Sequence, residues 1–382
     1  MPPLLEISWP AWLLLAFAVT QLTIFGVTVY LHRSQAHRAL TLHPALAHFI
    51  RGWLWLTTGM STRQWVAVHR KHHAYCETAQ DPHSPAIKGF WTVMLKGAVL
   101  YHKEACNEET LTRFGKGAPA DWMEKHVYRR HGLYAQSLLL VLNVALFGPV
   151  KGGLLSAVQL LWVPFWAAGV INGLAHTKGY RNFPTADRSK NLRPWGLWIG
   201  GEELHNNHHA HPTSAKLSYK PWEVDIGWGA IRVLQALRLA RVHRVYTEPA
   251  LIAVPQACSS ALVAAVGTHH MQVSEWCHAL WLSTVAEIKK NEKLTTAQTK
   301  LLTNAFRNVS LGDETQKLFE GRGRLLALRS HCLTLQKLWT DSVSSVEELA
   351  RDLSAWCAQA EASGIEALVD LSRRIRSLPL GA

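Results

Sequence analysis

Residues 9–37 read WPAWLLLAFAVTQLTIFGVTVYLHRSQAH. The first 23 of them, Trp9 to Leu31, carry no charged side chain. At about 1.5 Å per residue a helix of that length crosses a hydrocarbon core of about 30 Å. His32 and His37 follow directly, so the run is expected to be a membrane span that ends in imidazoles. A secretory signal, suggested by Ala16-Phe17-Ala18, fits poorly: only Glu6 and no Lys or Arg precedes the run, which continues well past that cut.

Two further uncharged stretches, Gly132 to Val150 and Gly152 to Ala175, are separated by Lys151. Gly148-Pro149 and Gly152-Gly153 supply turn chemistry, so these stretches predict a hairpin of two spans, with Pro164 kinking the second. Pro44 to Met60 is apolar but short and interrupted by His48 and Arg51, which suits a helix lying at a membrane surface. Arg33, Arg38, Arg63, Arg70 and Lys71 cluster after the first span. By the positive-inside rule that side is cytoplasmic and the N-terminus lies outside.

With 40 Lys and Arg against 27 Asp and Glu, the formal charge is +13. An inside-facing surface near anionic lipid accounts for most of it, and nothing else in the chain points to nucleic acid. The six cysteines form no C-x-x-C pair, which excludes a zinc ribbon and a disulfide scaffold. Beyond about Thr247, Pro249 and Pro255 mark a linker. Capping-box patterns at Thr295-x-x-Gln298 and Ser345-x-x-Glu348 then predict soluble helices. The expected fold is all-α: an integral-membrane helical bundle with a cytoplasmic, histidine-rich cap over 1–245, and a C-terminal soluble helical region over 246–382.

Histidine is the unusual residue, at 21 copies. Nine stand in four motifs: His32-x-x-x-x-His37, His69-Arg-Lys-His72-His73, Asn172-Gly-Leu-Ala-His176 and His205-Asn-Asn-His208-His209. Positions i, i+3 and i+4 share a helix face, so each H-x-x-H-H can present three rings to one point. A five-residue step leaves His32 and His37 about 140° apart on an ideal helix. That pair therefore needs a helix end, a local distortion or two different metals. Asn172 sits one turn before His176 and can join it directly or through water. Nine imidazoles are too many for one ion, and zinc takes four ligands and does no redox chemistry. Two irons, each with four or five nitrogens and a place left for O2, match the number. His43, His48, His102, His243, His269 and His270 are expected to be ordinary surface or core residues.

These motifs resemble the membrane fatty-acid desaturase family, in its Δ9 acyl-CoA and acyl-lipid branch, over roughly residues 10–230. Supporting text includes HRKHH followed by Glu77-Thr78 and Asp81-Pro82-His83, then NGLAH, then Gly201-Glu202 before HNNHH. The segments TVYLHR, WLWLTTGM and IGGEELHNNHH are similar to bacterial desaturases of membrane phospholipid acyl chains. The resemblance implies that His32, His37, His69, His72, His73, His176, His205, His208 and His209 ligate two Fe ions, with Asn172 holding a metal-bound water. Glu77, Asp81 and Glu202 are candidates to fix ring tautomers. His83 and His211 do not match the family's ligands. It further implies an enzyme of the bacterial inner membrane that uses O2 on a long-chain acyl-CoA or phospholipid acyl chain. Two external electrons are needed, from a ferredoxin with its reductase or from a cytochrome, because the chain has no flavin or dinucleotide fingerprint. A related diiron hydroxylase and a membrane metal transporter or binding protein are the alternatives. The H-x-x-x-x-H box and DPH flank argue against the hydroxylase, and motifs at span ends argue against the transporter.

Overall fold

Ser8 starts the first helix by accepting a hydrogen bond from the Ala11 amide, and Pro10 is pre-shaped for a first turn. The computed structural model that provides this view describes residues 3–292, 294–306, 311–340 and 345–380. Helix α1 (Trp9–Phe25) continues without a break as a π-helix over Gly26–Ala36. Gly26 lets α2 approach there: an added Cβ would lie 3.0 to 3.2 Å from Leu54 and Ile50.

Helix α2 (Pro44–Thr58) ends at Gly59, whose φ of 70° provides a left-handed cap. Ser61 then caps α3 (Thr62–Tyr75) through the Gln64 amide, so the second histidine motif is built on a rigid helix. Helix α4 (Phe90–Ala105) packs against the Pro164–Ile171 segment. Gly97 permits this, since its Cβ would stand 2.6 Å from the Ala168 carbonyl oxygen.

The hairpin reverses at Gly148, within the first of the two dipeptides expected to turn it and three residues before the charge break at Lys151. Within α5 (Gly132–Val163) Gly148 alone is non-helical, with φ 79° and ψ 170°, and Pro149 opens the second arm. The arms are tied across the reversal by Asn143, which donates to Ser156 and Gln159 at 2.9 Å each. The turn end of the hairpin meets the start of α1: the Leu4 and Leu5 amides bond the Ala145 and Leu146 carbonyls, and Trp12 donates to the Lys151 carbonyl. At Pro164 the second arm passes from α to π geometry. Trp9–Ala36 and Gly132–His176 are each long and apolar enough to cross a membrane.

Beyond the hairpin lie α6 (His205–Ala210) and α7 (Ile226–Ala236). Two small strand pairs, absent from the all-α expectation, fasten the ends of this unit. Leu40–Leu42 pairs antiparallel with Ala240–Val242, and Trp195–Gly196 pairs parallel with Val224–Asp225. The core under the first histidine motif holds Val27, Tyr30, Leu31, Leu54 and Ile231. A second compact unit, Thr247–Ala382, is helical around Trp281, Leu302, Leu335, Leu353 and Trp356. Both capping boxes, at Thr295 and Ser345, are present in it.

Adjacent glycines test the hairpin. A Cβ on Gly152 would fall 2.2 Å from the Asn143 carbonyl oxygen, whereas one on Gly153 would meet nothing within 4 Å. Gly152→Val is expected to abolish the yield of monodisperse detergent-solubilised protein, and Gly153→Val to leave it near wild type.

Candidate metal centre

The π-helical stretch resolves the spacing of the first motif. The His37 amide bonds the His32 carbonyl at 3.1 Å, five residues back, so a five-residue step nearly closes one turn. The two rings then stand 4.9 Å apart, centroid to centroid. Distortion of the helix, not service to separate sites, is what brings this pair together.

The nine rings form two adjoining groups: His32, His37, His69, His73 and His208 in one, and His72, His176, His205 and His209 in the other. Within each group one nitrogen per ring lies within 4.8 Å of all the others, close enough to hold a metal ion. Neither H-x-x-H-H converges on a single point. The i and i+4 rings of each motif differ by about 40° around the helix, while the i+3 ring lies about 60° to the other side. His69 and His73 therefore join the first group and His72 the second; His205 and His209 join the second and His208 the first. Each motif contributes two rings to one group and one to the other.

Four carboxylates hold ring tautomers from behind. The Nδ1 atoms of His32, His72, His176 and His209 face Glu202 at 2.8 Å, Asp81 at 3.0 Å, Glu77 at 3.1 Å and Asp187 at 2.9 Å. With Nδ1 donating its proton to a carboxylate, each Nε2 keeps its lone pair for the interior. Asp187 is the partner that sequence reasoning missed. It lies 22 residues before His209, in a loop secured when Thr185 and the Ser189 amide donate to the same carboxylate. Asn172 lines the same cavity as His205. His83 lies tilted against His72 with ring centroids 4.6 Å apart, and His211 stacks on Tyr246.

Burial pushes His37, His69, His73, His205 and His208 well below the ordinary imidazole range, and neighbouring rings push the same way. These rings are neutral at pH 7, the form that binds metals. Burial lowers His209 too, to about 4, even though Asp187 favours its charged form. For Asp81 and Asp187 burial acts upward, but the adjacent His72 and His209 win and hold both carboxyls well below their usual values.

The donor set fits cations. The His205 Nε2 is 3.0 Å from that of His176 and 3.1 Å from that of His209, both of which turn lone pairs toward it. His208 faces His32 at 3.0 Å and His73 at 2.9 Å through its own Nε2. One proton on the central ring cannot satisfy two acceptors. Two nitrogens about 2.1 Å from one ion and at right angles would stand about 3.0 Å apart, as these do.

A cavity of about 780 Å³ ends on His32 and His69 of the first group and His205 of the second. Its inner wall is largely apolar, including Ile24, Val27, Val68, Ala167, Ile171 and Ile199. Trp65 lines it and stacks on His69. Trp91 and Trp195 face outward. Such a shape admits a slender apolar ligand to both ring groups at once.

Comparison with known proteins agrees with this chemistry. The fatty acid desaturase family model matches residues 7–223, ending before the second unit. An sn-1 stearoyl-lipid 9-desaturase of Anabaena variabilis is 32% identical over 220 residues, 56% of this chain and 77% of the relative. The Delta-9 acyl-lipid desaturase 1 of Arabidopsis thaliana is 32% identical over 246 residues, covering 63% and 77%. An acyl-CoA 5-desaturase of Anemone leveillei is 31% identical over 253 residues, covering 63% and 74%.

One buried ion pair clamps the rings' supports together. Arg33 donates to both oxygens of Asp225 at 2.9 Å each, and both side chains are almost fully buried. Arg33 also donates to the Gly200 and Ala215 carbonyls, and Asp225 accepts from the Leu217 and Trp228 amides. The π-helix and the fourth histidine motif thus share one anchor. Removing one member strands the other charge, so Asp225→Ala is expected to cost about 3–5 kcal/mol, read as a fall in the thermal unfolding midpoint.

Proposed function

Since the chain belongs to the fatty acid desaturase family, we propose that it desaturates a long-chain saturated acyl group at a pair of irons held by the nine imidazoles, introducing a cis Δ9 double bond. The observation that carries this reading is the convergence of nine ring nitrogens, five and four, with His32, His69 and His205 lining a largely apolar cavity. Bound there, two irons supply O2 activation and the oxidising power to break unactivated C–H bonds. The balance needs two external electrons and two protons: with O2 and the two hydrogens of the chain, they leave as two waters.

The protein's own residues do the positioning. His69, His73 and His208 hold the first iron with His32 and His37, and His72, His176, His205 and His209 hold the second. Glu77, Asp81, Asp187 and Glu202 keep four of these rings in the tautomer that faces the ions, and Asn172, which lines the same cavity, would hold a metal-bound water. Thr28 also donates to Glu202, fixing the carboxylate itself. The apolar wall excludes water and grips the chain at about 0.8 kcal/mol per buried methylene. One C–C pair is thereby held at the rings, and cavity depth decides which pair.

The topology supports a cytoplasmic site. The start of α1 and the hairpin turn lie together, while His32 and His176 stand at the opposite ends of their helices. With the N-terminus outside, three crossings of a bacterial inner membrane place every ring on the inner side. There a ferredoxin or cytochrome delivers electrons to a basic surface.

Cells supplied with a compatible electron donor provide the test. Expression of the wild type is expected to add a cis monoene to the fatty-acid profile, and the purified protein to carry two irons per chain. His72→Ala is expected to give no monoene and to lower the iron content. An unaltered profile from an iron-loaded wild type would defeat the assignment.

A further inference from the structure

The second unit, Thr247–Ala382, holds four of the six cysteines, and they meet as two pairs. Cys258 and Cys357 bring their sulfurs to 3.8 Å although they stand 99 positions apart in the chain. Cys277 and Cys332 are in contact too, through a hydrogen bond. All four are free thiols.

The pairs differ in what governs reactivity. Cys277 and Cys332 sit within the helices His270–Glu292 and Gly323–Thr340 and are wholly buried. Contact with Cys332 and burial push the Cys277 thiol well up, so it stays protonated and inert. Cys258 is half-buried and lies just outside its helix, which Ser259 caps, whereas Cys357 is buried on the helix Val346–Ala362. The Cys357 thiol and the Arg376 guanidinium favour the charged form of Cys258 and, against burial and Glu361, bring it down to about 7. About half of it is then thiolate at neutral pH.

Backbone placement favours joining this pair. A disulfide holds its sulfurs about 2.05 Å apart, so the two must close by a little under about 2 Å. Cys258 can supply that movement because the residues from Pro255 to Ser259 belong to no helix or strand. Its approach is guided from two positions away. The Gln256 amide bonds the Arg376 carbonyl, the Gln256 side chain donates to the Leu378 carbonyl, and Arg376 Nε donates to the Gln256 carbonyl, each at 2.8 Å.

We propose that Cys258 and Cys357 form a thiol–disulfide exchange site that takes a low-molecular-weight disulfide such as glutathione disulfide. The Cys258 thiolate attacks one sulfur of that disulfide, whose S–S bond breaks, and one half leaves as a thiolate. Cys357 then gives up its proton to the departing thiolate, attacks the Cys258 sulfur and expels the other half. Two protein thiols are oxidised to one bridge, and one small disulfide is reduced to two thiols. Burial sets the order, since Cys258 is reached from outside and Cys357 from within. On the inner side of the membrane, where the proposed topology puts this unit, the bridge forms only when the thiol pool turns oxidising. It then ties the chain's entry into the unit to the helix Val346–Ala362 and closes a loop of about a hundred residues, which stabilises the folded unit.

The test equilibrates the full iron-loaded chain, in detergent and under argon, with glutathione buffers of stepped potential, followed by acid quench, alkylation and trypsin. In oxidising buffer the peptide Val245–Lys289 is expected to be bridged to Asp352–Arg373, with Ser330–Lys337 unbridged, and dithiothreitol should reverse the bridge. Cys258→Ser should lose it and Cys277→Ser should keep it, which separates the two cysteines of the first peptide. Without oxidant at pH 7, iodoacetamide should modify Cys258 at least about tenfold faster than Cys277 or Cys332. Glutathione left on Cys258 with no bridge, a bridge to Ser330–Lys337 instead, or a bridge that forms only after denaturation overturns the proposal. None of these readouts depends on desaturation.

Discussion

Everything in the first unit answers one electrostatic constraint: lone pairs of neutral imidazoles are aimed at each other across about 3 Å in a buried place. Such an arrangement repels itself unless cations sit among the nitrogens. Even then the rings must be prevented from turning their protons inward. The carboxylates behind His32, His72, His176 and His209 do this, and they need anchors of their own. Thr28 supports Glu202, the Glu77 and His83 amides bond Asp81, and Thr185 and Ser189 hold Asp187. The cost of burying these polar groups is offset because nearly every one is paired.

The same constraint explains the helix geometry. A straight α-helix would turn His37 away from His32, so the first helix widens into a π-helix over its last eleven residues. That distortion is held in place by neighbours: Arg33, within the π segment, is clamped to Asp225, and the Ala39 amide bonds the Arg33 carbonyl. The division of each H-x-x-H-H between two groups has a similar logic. Rings at i and i+4 are near neighbours on one side and the i+3 ring diverges, so one helix can bridge two centres. Two such helices, each giving two rings to one group and one to the other, hold the two ring groups at a fixed relation.

Much of this was legible in the chain. The apolar runs, the four histidine motifs, the flanking Glu77, Asp81 and Glu202, and both capping boxes follow from local pattern, and local pattern is what sequence carries. What escaped depends on tertiary placement. Asp187 sits in an irregular loop with no periodicity to mark it, and only the fold brings it to His209. Of the two dipeptides that offered turn chemistry, the backbone uses Gly148-Pro149, with φ 79° at Gly148, and the charge break at Lys151 does not mark the reversal. Lys151 instead reaches back to the Ile7 carbonyl at the start of the first helix. The partition of each histidine triad was hidden for a different reason. Helix geometry fixes the angular fan of the rings, but which centre each ring meets depends on the opposing helix.

The cavity joins these two levels of organisation. It is lined by His32, His69 and His205 and, on its flank, by Leu95, Leu133, Leu160 and Leu161. Eight of the nine rings stand on α3, α6 and the π-helix with its cap, tied by buried ion pairs and hydrogen bonds. His176 instead ends the second arm of the hairpin, the arm that also carries Leu160 and Leu161, and its pairing with Glu77 ties that arm to the residues just after α3. The apolar flank is therefore held between the reversal at Gly148 and the ring groups, so the placement of the cavity wall and the placement of the rings depend on one another.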